Sequence, residues 1–197
     1  MTWTARATDD FNRADGGLGS NWTALNGATF PALTIVSNQI RAGTAGVNRN
    51  GGWYNAVQPR SAQYAKITLR DNLATGDEAG LLLRCRNYTG GFDAYHFAML
   101  GGASFATASI NRFTNAGISQ LKQILSLANL VSGDVLMFSA EGTSLIGYVN
   151  GAPVIAIGTD TTWHSGYAGI LILVAGSAAN LDLDDFEAGD LDFGRGI

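Results

Sequence analysis

The sequence predicts an all-β fold: two antiparallel sheets packed face to face as a sandwich. Three observations carry this prediction. Short runs of alternating apolar residues recur about every ten residues, as in a sandwich or barrel. Glycine punctuates those runs, with 26 glycines scattered through the chain against 3 prolines, and no collagen-like period appears. Hydrophobic residues make up 46% and charged residues 14%, well under the charged fraction of about 25% in an average domain. Such a chain can bury a substantial core, and its 197 residues fit one domain spanning 1–197.

The elements follow in order. "DDFNRADGGLGSNWT" (9–23) is too polar for a helix core and too patterned for a tail. "LTIVSNQIRA" reads as two strands joined by a tight turn at Ser37–Asn38, because asparagine tolerates the left-handed backbone that such a turn needs. "AQYAKITLRD" alternates Tyr64, Lys66 and Thr68 against Ala65, Ile67 and Leu69. "GLLLRCRNY" is expected to place Leu83 and Cys85 on one face and Arg84 and Arg86 on the other,. In "DAYHFAML", Tyr95, Phe97 and Met99 share a face opposite His96. "ISQLKQILSLANLVSGD" has Leu121, Ile124, Leu125 and Ala128 at helical spacing, while Leu125 and Leu127 alternate as in a strand,. Its strand-rich surroundings favour a strand. "LIGYVNGAPVIAI" is a hairpin about Asn150-Gly151, the preferred pair for a two-residue type I′ turn,. Pro153 then belongs on an edge, because it cannot donate to a ladder. "SGYAGILILVAG" reads as a buried strand bounded by glycines.

Charge excludes some partners. The net charge is −4, Lys66 and Lys122 are the only lysines, and no basic run exists to neutralise phosphates, so nucleic acid is not an expected partner. No apolar run approaches the roughly 20 residues of a membrane span. The N-terminus lacks the charged head and apolar stretch of a secretory signal, and Cys85 is the one cysteine. Synthesis in the cytoplasm is expected.

The opening stretch, the hairpin "GYVNG", the run "DTTWHSGYAGI" and the ending "DDFEAG" occur in that order. Together they resemble the concanavalin A-like lectin/glucanase superfamily in its laminin G-like jelly-roll branch, across nearly the whole chain. The resemblance implies a two-sheet antiparallel jelly roll whose first and last strands are neighbours. Asp9-Asp10-Phe11 and Asp184-Asp185-Phe186 would then be paired strand ends. Each would send its phenylalanine into the core and its carboxylates to the rim, with Leu18 and Trp22 closing the first corner. Members of the superfamily include glycan-binding modules, glycosidases, lyases and structural proteins of bacteriophage particles.

Candidate chemistry is sparse. Asp182, Asp184 and Glu187 resemble the Glu-x-Asp-x-x-Glu of the superfamily's retaining glucanases, which need two carboxyl groups about 5–5.5 Å apart. The first glutamate is an aspartate here, and the stretch is expected on the last edge of the sandwich. Aspartates at both ends offer oxygen ligands, but no calcium-loop spacing is present. His96, His164 and Cys85 share no zinc spacing. No metal or cofactor is therefore expected. For glycans, which stack on aromatic rings and bond to polar groups, the candidates are Trp53, Tyr54, Arg84, Arg86 and Tyr88. Arg84, Arg86 and His96 would share one ligand-facing sheet surface.

These readings converge on a non-enzymatic structural or binding module of a virus particle, a bacteriophage capsid decoration or tail-associated protein with glycan-binding capacity. Its partners would be a coat or tail protein, surface glycans and further copies of itself as a homo-oligomer. A stand-alone lectin is the alternative. A glycan hydrolase or lyase using Asp182, Asp184 and Glu187 is the third reading.

Overall fold

The computed structural model describes residues 2–25, 30–46, 49–88, 90–114, 117–176 and 181–192. They form sixteen strands, every pairing antiparallel, and among the described residues there is no helix. The strands are β1 (Thr2–Asp9), β2 (Gly16–Gly17), β3 (Trp22–Ala24), β4 (Leu33–Val36), β5 (Gln39–Ala42), β6 (Arg49–Tyr54), β7 (Gln63–Leu69) and β8 (Glu78–Tyr88), then β9 (Gly91–Leu100), β10 (Ala106–Thr114), β11 (Gly117–Leu127), β12 (Val135–Glu141), β13 (Ser144–Val149), β14 (Ala152–Ile157), β15 (Tyr167–Leu173) and β16 (Asp182–Asp192). One sheet has nine strands in the order β14-β13-β12-β7-β16-β5-β4-β2, with β1 also paired to β16. The other has seven, in the order β11-β10-β9-β8-β15-β6-β3.

Alternation supplies the core. Ala65, Ile67 and Leu69 of β7 and Leu136, Phe138 and Ala140 of β12 face Leu81 and Leu83 of β8 and Tyr95, Phe97 and Met99 of β9 in one cluster. β15 lies inside its sheet and is buried on both faces, which explains its unbroken apolar run. Ser37 and Asn38 have φ of 53° and 65°, and Asn150 and Gly151 have 50° and 76°, as the two type I′ turns require. Pro153 lies on β14, the end strand of its sheet.

The chain ends meet as the resemblance implies. Asp9 pairs with Phe186 across β1 and β16, and Phe11, Leu18, Trp22 and Phe186 all join the central core. β16 is not an edge, however. It has β7 on one side and β5 and β1 on the other.

Bulges in three strands shape the rest. In β16, the register slips between Asp184 and Glu187, with Asp185 at φ 53°. Leu183 and Phe186, three apart, therefore both face the core,. In β11, the register slips twice against β10. Leu121, Ile124 and Leu127 thereby pack against the core at a three-residue spacing. The helix-like pattern of this segment is thus a doubly bulged strand. In β8, the register slips between Leu83 and Arg86, with Arg84 at φ 53°. Leu83 joins the central core, whereas Cys85 joins a second cluster with Leu82, Phe92 and Leu171 on the outer face. The expected sharing of one face by Leu83 and Cys85 fails because the extra residue resets the alternation.

Two substitutions test this packing by urea unfolding. Phe186→Ala is expected to cost about 3–5 kcal/mol, the range for emptying a buried aromatic site. Gly147 lies under the Phe97 ring, which an added β-carbon would overlap, so Gly147→Ala is expected to cost about 1–3 kcal/mol. A loss below about 0.5 kcal/mol for either would contradict the packing described.

Candidate functional site

The five glycan candidates do not converge. Tyr54 is a core residue: its ring lies edge-on to Trp22 at 5.4 Å and stacks on Phe186 at 6.1 Å. Arg84 is fully buried by the β8 bulge. It donates to the Trp163 carbonyl at 2.6 Å and the Ser61 carbonyl at 3.0 Å, and burial pushes its guanidinium below the ordinary value. These two are structural, correcting the expectation of ligand contacts. Arg86 lies over the Trp163 ring at 5.5 Å and pairs with Asp93 at 3.2 Å, where the Tyr88 hydroxyl also donates at 3.1 Å. Trp53 is half-buried on the outer face of β6, 4.2 Å from the Tyr167 ring. Arg84 and Arg86 do not share a face with His96, because the bulge turns both towards Tyr95 and Trp163.

The glucanase-like carboxylates are each held by a cation on, or directly after, a strand that pairs with β16. Asp182 accepts two bonds from Arg41 at 2.8 and 2.6 Å. Asp184 accepts two from Arg70 at 3.0 and 2.8 Å. Glu187 pairs with Lys66 at 2.9 Å and accepts from the Tyr64 hydroxyl at 2.5 Å. Among the described residues, no group of three or more His, Cys, Asp or Glu side chains is placed to hold a metal ion.

A separate cleft of about 250 Å³ lies on the outer face of the seven-stranded sheet. Ser109 and Asn111 of β10 lie directly across from Gln123 and Gln120 of β11. All four line the cleft with Arg49 and Glu78, and Leu100, Phe113 and Ile118 supply its apolar wall. Arg49 on β6 and Glu78 on β8 both pair with Leu173 of β15, which spaces them by one strand. Their side chains close over it in a bidentate bond, Nε to Oε1 at 2.7 Å and Nη2 to Oε2 at 2.9 Å. Burial works to raise the Glu78 carboxyl, but the Arg49 bonds outweigh it and hold it below the ordinary value.

Behind this pair lies His96, wholly buried. Its ring covers Gly80, where a β-carbon would overlap it. Asn111 Nδ2 lies 3.5 Å from Nδ1, which assigns the ring proton to Nε2 if Nδ1 accepts. Nε2 has no hydrogen-bond partner and lies 3.9 Å from Glu78 Oε1. Another recess, of about 510 Å³, lies beside Asp9 and Arg13. There Asp9 accepts from both terminal nitrogens of Arg13 and from Trp22 Nε1.

Burial pushes His96 down to about 4 from the ordinary 6.5. Between those values the unfolded chain binds the proton more readily than the folded one. The stability is therefore full above pH 6.5 and falls as the pH drops towards 4, by an amount on the order of 3 kcal/mol. Urea unfolding at pH 7 and near pH 4.5 is expected to show this loss, and His96→Gln is expected to flatten it. An equal pH slope in the variant would contradict the assignment.

No protein-family model matches the chain, and no curated protein matches it in sequence. Solved structures do match. The carbohydrate-binding module CBM66 from Bacillus subtilis superposes with a TM-score of 0.62 at 15% identity, covering 88% of this chain and 96% of that one. A prokaryotic β-1,3-1,4-glucanase (lichenase) derived from a mouse hindgut metagenome gives 0.61 at 13%, covering 94% and 99%. The CBM2 module of the evolved Dit of Lactobacillus casei BL23 phage J-1 gives 0.59 at 11%, covering 94% and 95%. At these identities the likeness is one of architecture. With its two antiparallel sheets and adjacent termini, the chain has the concanavalin A-like jelly-roll fold.

Proposed function

We propose that this chain is a non-enzymatic glycan-binding module displayed on a bacteriophage particle, and that the cleft on the seven-stranded sheet takes the sugar. The observation that carries the reading is the make-up of the cleft. Amide and hydroxyl side chains from β10 and β11 stand beside one carboxylate already held by arginine, against an apolar wall. Sugar hydroxyls can bond to such planar polar groups, and the C–H face of the ring can rest on the exposed side chains of Leu100 and Ile118,.

The same cleft argues against hydrolysis. Glycosidases flank the scissile bond with two carboxyl groups, about 5–5.5 Å apart when retaining and 6.5–9.5 Å when inverting. Among the described residues, Glu78 is the one carboxylate lining this cleft. Of the neighbours in fold, one is a carbohydrate-binding module and one a module of a phage protein. Both support this reading by analogy, while the lichenase keeps a hydrolase as the competing one,.

Two measurements test the proposal. The purified chain is expected to bind a defined class of oligosaccharide on a glycan array, with Asn111→Ala and Gln123→Ala each weakening it about tenfold, the worth of one good hydrogen bond to a sugar. Purified particles are expected to carry the chain in fixed stoichiometry. Sugar binding without particle association would leave a free-standing lectin. Turnover of the bound polysaccharide would overturn the non-enzymatic reading.

A further inference from the structure

The cleft's charge arrangement specifies more than sugar binding. Arg49 is the cation lining it, and both of its bonds to Glu78 run edge to edge, the geometry in which guanidinium and carboxylate neutralise each other most fully,. The cations of β10 and β11 do not line the cleft. Lys122 of β11 donates to the Ala156 carbonyl, and Arg112 of β10 pairs with Asp160. His96 lies beneath Glu78 and is neutral at ordinary pH, because its surroundings disfavour the charged ring. The remaining groups of β10 and β11 that line the cleft are uncharged.

From this we infer that Glu78 sets the ligand class of the site, masking Arg49 so that the cleft admits neutral glycans and rejects those bearing a carboxylate or sulfate. The inference rests on the glycan-binding reading above. An anionic sugar reaching for Arg49, the more exposed partner, meets a guanidinium whose charge is already balanced by the Glu78 carboxylate buried behind it, a like charge in a partly water-excluded recess,. A neutral sugar needs no such charge: its hydroxyls accept from the remaining N–H groups of the guanidinium and bond to the amides and hydroxyls of β10 and β11,. The arrangement resembles a lock on an anion site: the arginine that would bind a carboxylate is present but already holds one.

Removing the mask should therefore change the class of ligand rather than merely weaken binding. The full chain is tested on matched oligosaccharides that are neutral, uronate-bearing or sialylated, as wild type, Glu78→Gln, Arg49→Gln/Glu78→Gln and Asn111→Ala. Thermal unfolding of each variant checks the fold. The wild type is expected to bind neutral members at least tenfold tighter than their acidic counterparts. Glu78→Gln keeps the shape of the side chain, and is expected to gain at least tenfold for the acidic members. The double variant is expected to lose that gain. Wild-type binding of acidic sugars as tight as of neutral ones would overturn the inference without touching the proposed function, and needs no variant to fold. A folded Glu78→Gln with no gain would do the same, provided that Asn111→Ala still weakens binding. Absence of binding to every class by wild type and Glu78→Gln would overturn the glycan-binding reading itself.

Discussion

One carboxylate ties the two layers of this molecule together. Asp9 ends β1, in the nine-stranded sheet, and accepts from Trp22 Nε1 at 2.7 Å, a residue that opens β3 in the seven-stranded sheet. It also accepts from the Phe11 backbone at 2.9 Å and from Arg13 at 2.6 and 3.0 Å. Four donors on two oxygens fix the corner through which the chain passes from one layer to the other. Phe11, at φ 52°, is turned inward there, 6.0 Å from Trp22, and Trp22 lies 4.9 Å from Phe186. The first and last strands thus close a shared aromatic cluster, in which each ring buries area only because the others are in place. Full burial of each such side chain contributes about 1.5–3 kcal/mol, so the corner is a large part of a marginal total.

The outer face of the opposite sheet follows a different rule. It is not left to solvent. Leu25, Leu82, Phe92 and Phe113 cover one end, with Phe30 laid over Phe92 at 5.0 Å, while the other end is polar and recessed. Small residues make the recess possible. Gly80 gives room for the His96 ring, and Ala98 pairs with Ser109 where a longer side chain would fill the floor. A buried ion pair and a buried neutral histidine stabilise little by themselves, since desolvation offsets most of what the bonds contribute. Their presence on a sheet face, where leucines would pack as well, supports the proposed binding role of this surface,.

Much of the fold was legible in the residues. The Ser37–Asn38 and Asn150-Gly151 turns announced themselves through side chains that tolerate positive φ, and the matching Asp-Asp-Phe ends pointed to adjacent terminal strands. What escaped was every feature created by a bulge. Arg84, Asp185 and the doubled slip in β11 each reset the two-residue alternation, and of these the β11 slips carry a local mark, the three-residue spacing of Leu121 and Ile124. Arg84 is hidden by its bulge, whereas Tyr54 lies in a regularly paired stretch of β6, and there residue type alone does not reveal which face the backbone turns inward. The cleft was harder still. Arg49 and Glu78 are brought together across β15, which lies far along the chain. One signal was available in Thr107, Ser109 and Asn111, polar residues alternating with Ala106, Ala108 and Ile110, the pattern of a strand with one face in the core and one towards a polar ligand or solvent.

The account depends most on Asp9 as the cross-sheet tie, and a double-mutant cycle measures that tie directly. Trp22→Phe removes the indole N–H while keeping a ring in the core, and Asp9→Ala removes the acceptor. Urea unfolding of the two single variants and the double should give a coupling of about 1–3 kcal/mol, as for a hydrogen bond between a charged group and a partly buried donor. Strictly additive losses would mean that the indole and the carboxylate act independently, and the two layers would then be held at this corner by packing alone.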